Sequence, residues 1–160
     1  MLDDYTWNNE LRLNLVVEKD GEYLPIKLKY KTKAISRSIK RFGQDLVDKD
    51  GSPLFIQVVK NQGTQDLGMY GFWKDIRRVE LISQRLERVK GGLVLFLTNN
   101  ESYLKAPRPT SNNFLFSMSS GVHTVDKRWQ NSQSATALGN PDFKVTKENE
   151  IVWDEIVCRT

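Results

Sequence analysis

The sequence predicts one α/β (α+β) domain: a mixed central sheet entered through an N-terminal β-hairpin, one long crossover helix and β-hairpins towards the C-terminal end. Three observations carry this. Two alternating apolar runs flank Asp20-Gly21; Met69, Phe72, Trp73, Ile76, Val79, Ile82 and Leu86 recur at three- and four-residue steps; and Leu93-Val-Leu-Phe-Leu-Thr98 is continuously apolar after Gly91-Gly92. A chain of 160 residues holds one core comfortably and two poorly. The expected domain is therefore 1–160, with a core over 8–105 and a β-rich extension over 106–160.

The hairpin is the best specified element. Asp-Gly tolerates the positive φ of a type I′ turn. A two-residue turn sets Lys19 opposite Glu22, Val17 opposite Leu24, Leu15 opposite Ile26 and Leu13 opposite Leu28. The other face then carries Asn14 opposite Lys27, Arg12 opposite Lys29 and Glu10 opposite Lys31. A one-residue slip scrambles this sorting.

Residues 34–53 read as a short helix or loop followed by a surface turn, and Leu54–Val59 as a β-branched strand. Thr64 or Asp66 is the expected N-cap of the helix over Leu67–Val89, which Gly91-Gly92 stops. Leu93–Thr98 has the pattern of a strand buried on both faces. Strand, helix and strand together suggest a right-handed crossover from the strand at 54–59 to the one at 93–98. Further on, Phe114–Met118 reads as a strand, and Phe143–Thr146 with Ile151–Val157 as a last hairpin around Lys147-Glu-Asn-Glu150.

Composition narrows the classes. No apolar run approaches the roughly 20 residues of a membrane span, and Met1-Leu-Asp-Asp does not open a signal peptide. A single cysteine, Cys158, makes no internal disulfide, so a cytoplasmic location is expected. One histidine, His123, excludes a His-rich metal site. The net charge is only +4, yet Lys27, Lys29, Lys31, Lys33, Arg37, Lys40 and Arg41 follow one another with no acid between them. Either this is a solvated basic face or it meets nucleic acid or another polyanion. Four of these lysines on one side of a strand favour the polyanion.

A family resemblance rests on Glu10–Val17, Pro25–Lys33, Lys60–Leu67, Tyr70–Ile76 and Leu95–Asn100. A strand carrying an aspartate, a tight turn and a strand carrying (Asp/Glu)-x-Lys resemble the PD-(D/E)XK nucleases, a restriction-endonuclease-like superfamily, and in particular a bacterial branch of it. The resemblance covers roughly residues 8–105. It implies a phosphodiesterase fold in which the two acids hold Mg²⁺ and the lysine orients or activates water. Opposed residues about 5 Å apart are close enough to share such an ion.

This chain departs from that pattern at both acids. Asn14 stands at the aspartate position and Lys27 at the Asp/Glu position; only Lys29 matches. An amide is a weak Mg²⁺ ligand and an ammonium repels the ion. The expectation is thus a catalytically impaired, nuclease-like protein that binds nucleic acid without a cofactor, Lys27 standing in for the metal. Lys27 pairing with Glu10 or Glu18 on the strand surface is the plainer alternative. If the chain is active, it uses Mg²⁺ and other carboxylates, and Glu10 and Glu18 are the nearest substitutes. A third reading is a non-enzymatic subunit of a restriction or defence system.

Arg12, Lys31, Lys33, Gln65 and Tyr70 are the expected nucleic-acid contacts, although capping and packing explain Gln65 and Tyr70 as well. Asp75 and Arg78 are expected on the helix surface, Phe72 and Trp73 in the core, and His123 without a catalytic role. Trp7, Trp129 and Trp153 suit either base stacking or packing. DNA is expected ahead of RNA as the partner, although the residues alone do not distinguish the two. The family's first core helix has no counterpart ahead of the hairpin. An apolar face of Leu11, Leu13, Leu15, Ile26 and Leu28 therefore predicts a homodimer, a partner subunit, or cover from residues 34–53 or the C-terminal hairpins.

Overall fold

The computed structural model describes residues 13–156. The hairpin takes the expected register: β1 (Leu15–Lys19) and β2 (Glu22–Lys31) pair with Lys19 opposite Glu22, Val17 opposite Leu24 and Leu15 opposite Ile26. Asp20 and Gly21 have φ of 53° and 76°, the left-handed pair that a type I′ turn requires. The ladder ends at Leu15. Beyond it the Leu28 N–H goes to Asn14 Oδ1 at 2.9 Å, where a continued ladder would send it to the Leu13 carbonyl.

β2 leads into an all-β arm, of which only the strand at 54–59 was expected from the sequence. β3 (Ile35–Ser38) pairs antiparallel with β6 (Phe55–Val59), and β4 (Lys40–Arg41) with β5 (Gln44–Asp45). Residues 34–53 are thus strands and turns rather than helix or loop. Ser36 and Ser38 alternate with Ile35, Arg37 and Ile39, a period of two that a helix cannot use. At its base the arm is pinned to the core. Asn99 exchanges two hydrogen bonds with the Lys33 backbone, at 2.7 and 3.1 Å, and the Thr32 hydroxyl donates to the Lys60 carbonyl at 2.7 Å.

Helix α1 (Gln65–Arg85) follows Thr64, one of the two expected N-caps, and stops four residues short of the expected Val89, well before Gly91. Leu86 turns extended so that the Tyr23 N–H reaches the Arg88 carbonyl at 2.8 Å and Val89 bridges Tyr23. The following β7 (Leu93–Thr98) lies parallel to β2, from Ile26 beside Leu93 to Lys31 beside Thr98. The crossover therefore joins β2 to β7 and not the strand at 54–59, which belongs to the arm. The sheet is mixed, in the order β1-β2-β7. Contrary to expectation β7 is not buried on both faces, since Leu93, Leu95 and Leu97 are 41–52% exposed.

α1 is packed on two sides. Phe72 meets Phe96 of β7, and Val79 sits so close to Gly92 that a Cβ there would lie 1.9 Å from it. Met69, Tyr70 and Trp73 face the C-terminal segment with Phe116, Met118, Trp129 and Val145 in one buried cluster. That segment is a set of short pieces. Phe114–Phe116 is a 3₁₀ turn and not a strand, held because the Trp73 indole donates to the carbonyls of Phe116 and Ser117 at 3.1 and 2.9 Å. β8 (Gly121–His123), β9 (Asp126–Lys127), the short α2 (Ala135–Gly139), β10 (Phe143–Lys144) and β11 (Asn149–Ile151) follow. β10 pairs with β9, and β11 with β8, so the expected last hairpin does not form. Glu80 of α1 takes the Thr146 N–H at 2.7 Å and holds this turn open.

Candidate functional site

The three motif positions lie together at one end of the β1–β2 hairpin but have different roles. Asn14 spends its amide oxygen on the Leu28 N–H, so that oxygen lies in the hydrogen-bonding plane of the sheet. Lys27 and Lys29 have the opposite parity to Ile26 and Leu28 and project towards α1. Lys29 Nζ reaches Asp75 Oδ2 at 2.8 Å, and Arg78 donates to Asp75 Oδ1 at 2.6 Å. Asp75 is fully buried, so it is the centre of a cation–carboxylate–cation group beneath the sheet and not the surface residue expected. An unpaired carboxylate there would carry a heavy desolvation penalty. Gly71 makes room for it: a Cβ at that position would come 2.7 Å from Lys29 Nζ.

The expected nucleic-acid contacts divide in the same way. Lys31 is half-buried and runs past Gly63, where a Cβ would meet its ammonium at 3.2 Å, while Lys33 is exposed at the arm's base. Gln65 Nε2 donates to the Ser102 carbonyl at 2.6 Å. Tyr70 is 5% exposed, packed against Phe116, Trp129 and Phe143, with its hydroxyl on the Pro141 carbonyl. Trp129 and Trp153 give their indole N–H groups to the carbonyls of Asn140 and Met118. His123 Nε2 lies 2.7 Å from the Ser119 carbonyl. Burial, and then nearby Lys127, hold its pKa below the usual histidine value, against the pull of that bond. Glu18 is exposed opposite Tyr23. Glu10, Arg12, Trp7 and Cys158 lie outside the described residues.

The donors at the motif positions do not suit Mg²⁺. Asn14 Oδ1 is occupied by a backbone N–H, Lys27 and Lys29 bring positive charge, and both oxygens of Asp75 are held by cations. Hard divalent ions need several free oxygen ligands. Among the described residues no group of three or more His, Cys, Asp or Glu is gathered to supply them. A groove of about 1650 Å³ bordered by Phe72, Ile76, Phe96, Met118 and Trp153 lies beside β7 and includes none of the motif residues.

The charge concentrates elsewhere. Residues 33–60, beyond the motif lysines, hold six Lys and Arg against three Asp, a net +3 in a chain of net +4. In the arm, no residue from 33 to 58 is buried, so Lys33, Arg37, Lys40, Arg41 and Lys49 are all in reach of a large ligand. Lys40 has an acidic neighbour, Asp45, at 3.9 Å, an exposed pair of little energetic weight. Only part of this surface was legible beforehand: the basic run was plain, the strands presenting it were not.

No protein-family model, curated protein or solved structure matches this chain. Among the described residues no helix is long and apolar enough to cross a membrane.

Proposed function

We propose that this chain is a nucleic-acid-binding protein, acting on DNA in preference to RNA, built on a reduced restriction-endonuclease-like core that does not cleave through its motif positions. The observation that carries the reading is the net +3 over residues 33–60, with the arm's cations displayed on an exposed β platform. A projecting basic arm suits a phosphate backbone, whose charges recur along a line. Lys29, the motif lysine, has a structural partner in Asp75. Asn14 and Lys27 offer no carboxylate for a metal, so binding without cleavage follows from the same residues. The reading includes a second copy of the chain on the open sheet face formed by Leu15, Val17, Leu24, Leu28, Leu93, Leu95 and Leu97.

Salt-dependent binding is the test. Fluorescence anisotropy with a short labelled duplex should give a log affinity that falls linearly with log salt at a slope of about −0.9 per phosphate contacted. Replacing Lys33, Arg37, Lys40 and Arg41 together with Gln should lower that slope by about 3 to 4 units. A supercoiled plasmid incubated with Mg²⁺ or Mn²⁺ should stay intact. Absence of binding at low salt would remove the reading, and nicking dependent on Glu18 or another carboxylate would replace it with that of an active nuclease.

A further inference from the structure

We infer that the β4–β5 hairpin is a stacking finger whose tip, Phe42, packs against an unpaired base of single-stranded nucleic acid. The inference rests on the nucleic-acid reading above and names the contact through which the arm would meet its ligand. Lys40 opposes Asp45 and Arg41 opposes Gln44, so Phe42 and Gly43 form a two-residue turn, with φ of 53° and 81°. Asn, Asp or Gly is the usual first residue of such a turn, because a Cβ in the left-handed region crowds the following carbonyl. A phenylalanine in that position is strained.

The fold hardly covers its ring, since Phe42 is 96% exposed, the most exposed large apolar side chain among the described residues. Strain and exposure together disfavour this residue in the free protein. Both become useful once a planar apolar partner covers the ring. The neighbouring charge selects that partner. The Arg41 guanidinium carbon lies 5.7 Å from the centre of the Phe42 ring, and Lys40 and Arg37 belong to the same arm. An aromatic face flanked by cations matches a base with phosphates on either side, the combination by which single strands are held without sequence readout. The open space around Gly43, where a Cβ would meet nothing within 4 Å, lets the ligand approach the tip.

The test compares the whole protein with Phe42→Ala, Phe42→Asn and Phe42→Trp, using a fluorescein-labelled 15-nucleotide oligo(dT), the matching duplex, and an oligonucleotide carrying 2-aminopurine. Expected results are a loss of single-strand affinity of about tenfold in the Ala and Asn variants, the size of one lost base–aromatic stack, with an unchanged salt slope. Phe42→Trp should retain binding. Quenching of 2-aminopurine should be seen with Phe and Trp and be absent with Ala and Asn. Phe42→Asn should melt at the same or a higher temperature, because it relieves the turn, so its weaker binding is not a folding defect. Unchanged affinity in all three variants would overturn the finger while leaving nucleic-acid binding intact. Equal losses on single strand and duplex with no change in quenching would overturn stacking. Binding to phosphatidylserine vesicles that depends on Phe42, with no effect on the oligonucleotides, would assign the tip to a membrane surface instead. Failure of the wild type to bind any nucleic acid removes the underlying reading, and the finger with it.

Discussion

Lys127 is 1% exposed and holds its ammonium 3.4 Å from the centre of the Trp73 ring. Burial pushes its pKa from 10.5 down to about 8, against the pull of the adjacent Asp126 carboxylate. Asp126 is itself turned to Lys144 at 3.0 Å, and His123 lies against another part of the same indole, 5.3 Å between ring centres. The unfolded chain keeps the lysine proton up to its ordinary value, whereas the folded chain releases it near pH 8. Between those values the unfolded state holds more protons, so stability rises with pH across the window and falls again as pH drops through about 8. The gain from this group is at most about 3 kcal/mol. Lys127→Met, which keeps the length and the apolar stem, should lose that dependence and should be the more stable protein at pH 7. Urea melts of both proteins at pH 7, 8.5 and 10 check this; parallel curves would show that the ammonium keeps its ordinary proton beneath the ring.

Among the elements, the arm is separable from the core on physical grounds. Ile35 and Val59 are paired neighbours, so an Asn-Gly turn joining them would close the hairpin at its base. With no buried residue between 33 and 58, this shortening should change unfolding free energy by less than about 1 kcal/mol. DNA affinity at low salt should fall sharply. Thermal melting and anisotropy on the shortened protein measure the two effects, and a collapsed melt would mean that the arm is part of the fold. The same elements explain what could be read in advance. The β1–β2 register was legible because Asp20-Gly21 and the alternation around it agree, and α1 because its apolar positions repeat along two turns and more. Of the arm only β6 was legible, as the β-branched strand at 54–59; β3, β4 and β5 bury nothing and so carry no apolar face to read. β2 beside β7 was hidden by the arm's insertion between β2 and α1, which made the nearer strand look like the crossover partner. Asp75 looked like a surface acid because helical periodicity shows no trace of Lys29 reaching in from another element. At the candidate site, the loss of the two acids was plain from the residues, but the capping role of Asn14 depends on where the ladder stops.

At the scale of the molecule, the sheet is covered on one side only. α1 and the C-terminal segment pack beneath it, while Leu15, Val17, Leu24, Leu28, Tyr30, Leu93, Leu95 and Leu97 on the other side are each 40–63% exposed. Eight large apolar side chains exposed together on one face form the kind of contiguous patch that marks an interaction surface, and a standard interface takes about 800 Å² from each partner. Its charged side chains, Lys19 and Glu22, are opposite in sign and sit across from each other beside the turn, while Lys27, Lys29 and Lys31 point the other way and the basic arm leaves from the end of β2. Two copies can therefore meet face to face without bringing like charges together, in the self-complementary manner of a two-fold dimer. Such a dimer would also place two basic arms on one particle, raising affinity for a ligand long enough to reach both. Sedimentation equilibrium at tens of micromolar should give the mass of a dimer, twice 18.5 kDa. Leu28→Glu with Leu95→Glu puts adjacent carboxylates on both partners and should yield a folded monomer with weaker binding to long DNA and unchanged binding to a short oligonucleotide. A wild-type monomer at that concentration would mean that another surface takes this face, and the double substitution would then leave the mass unaltered.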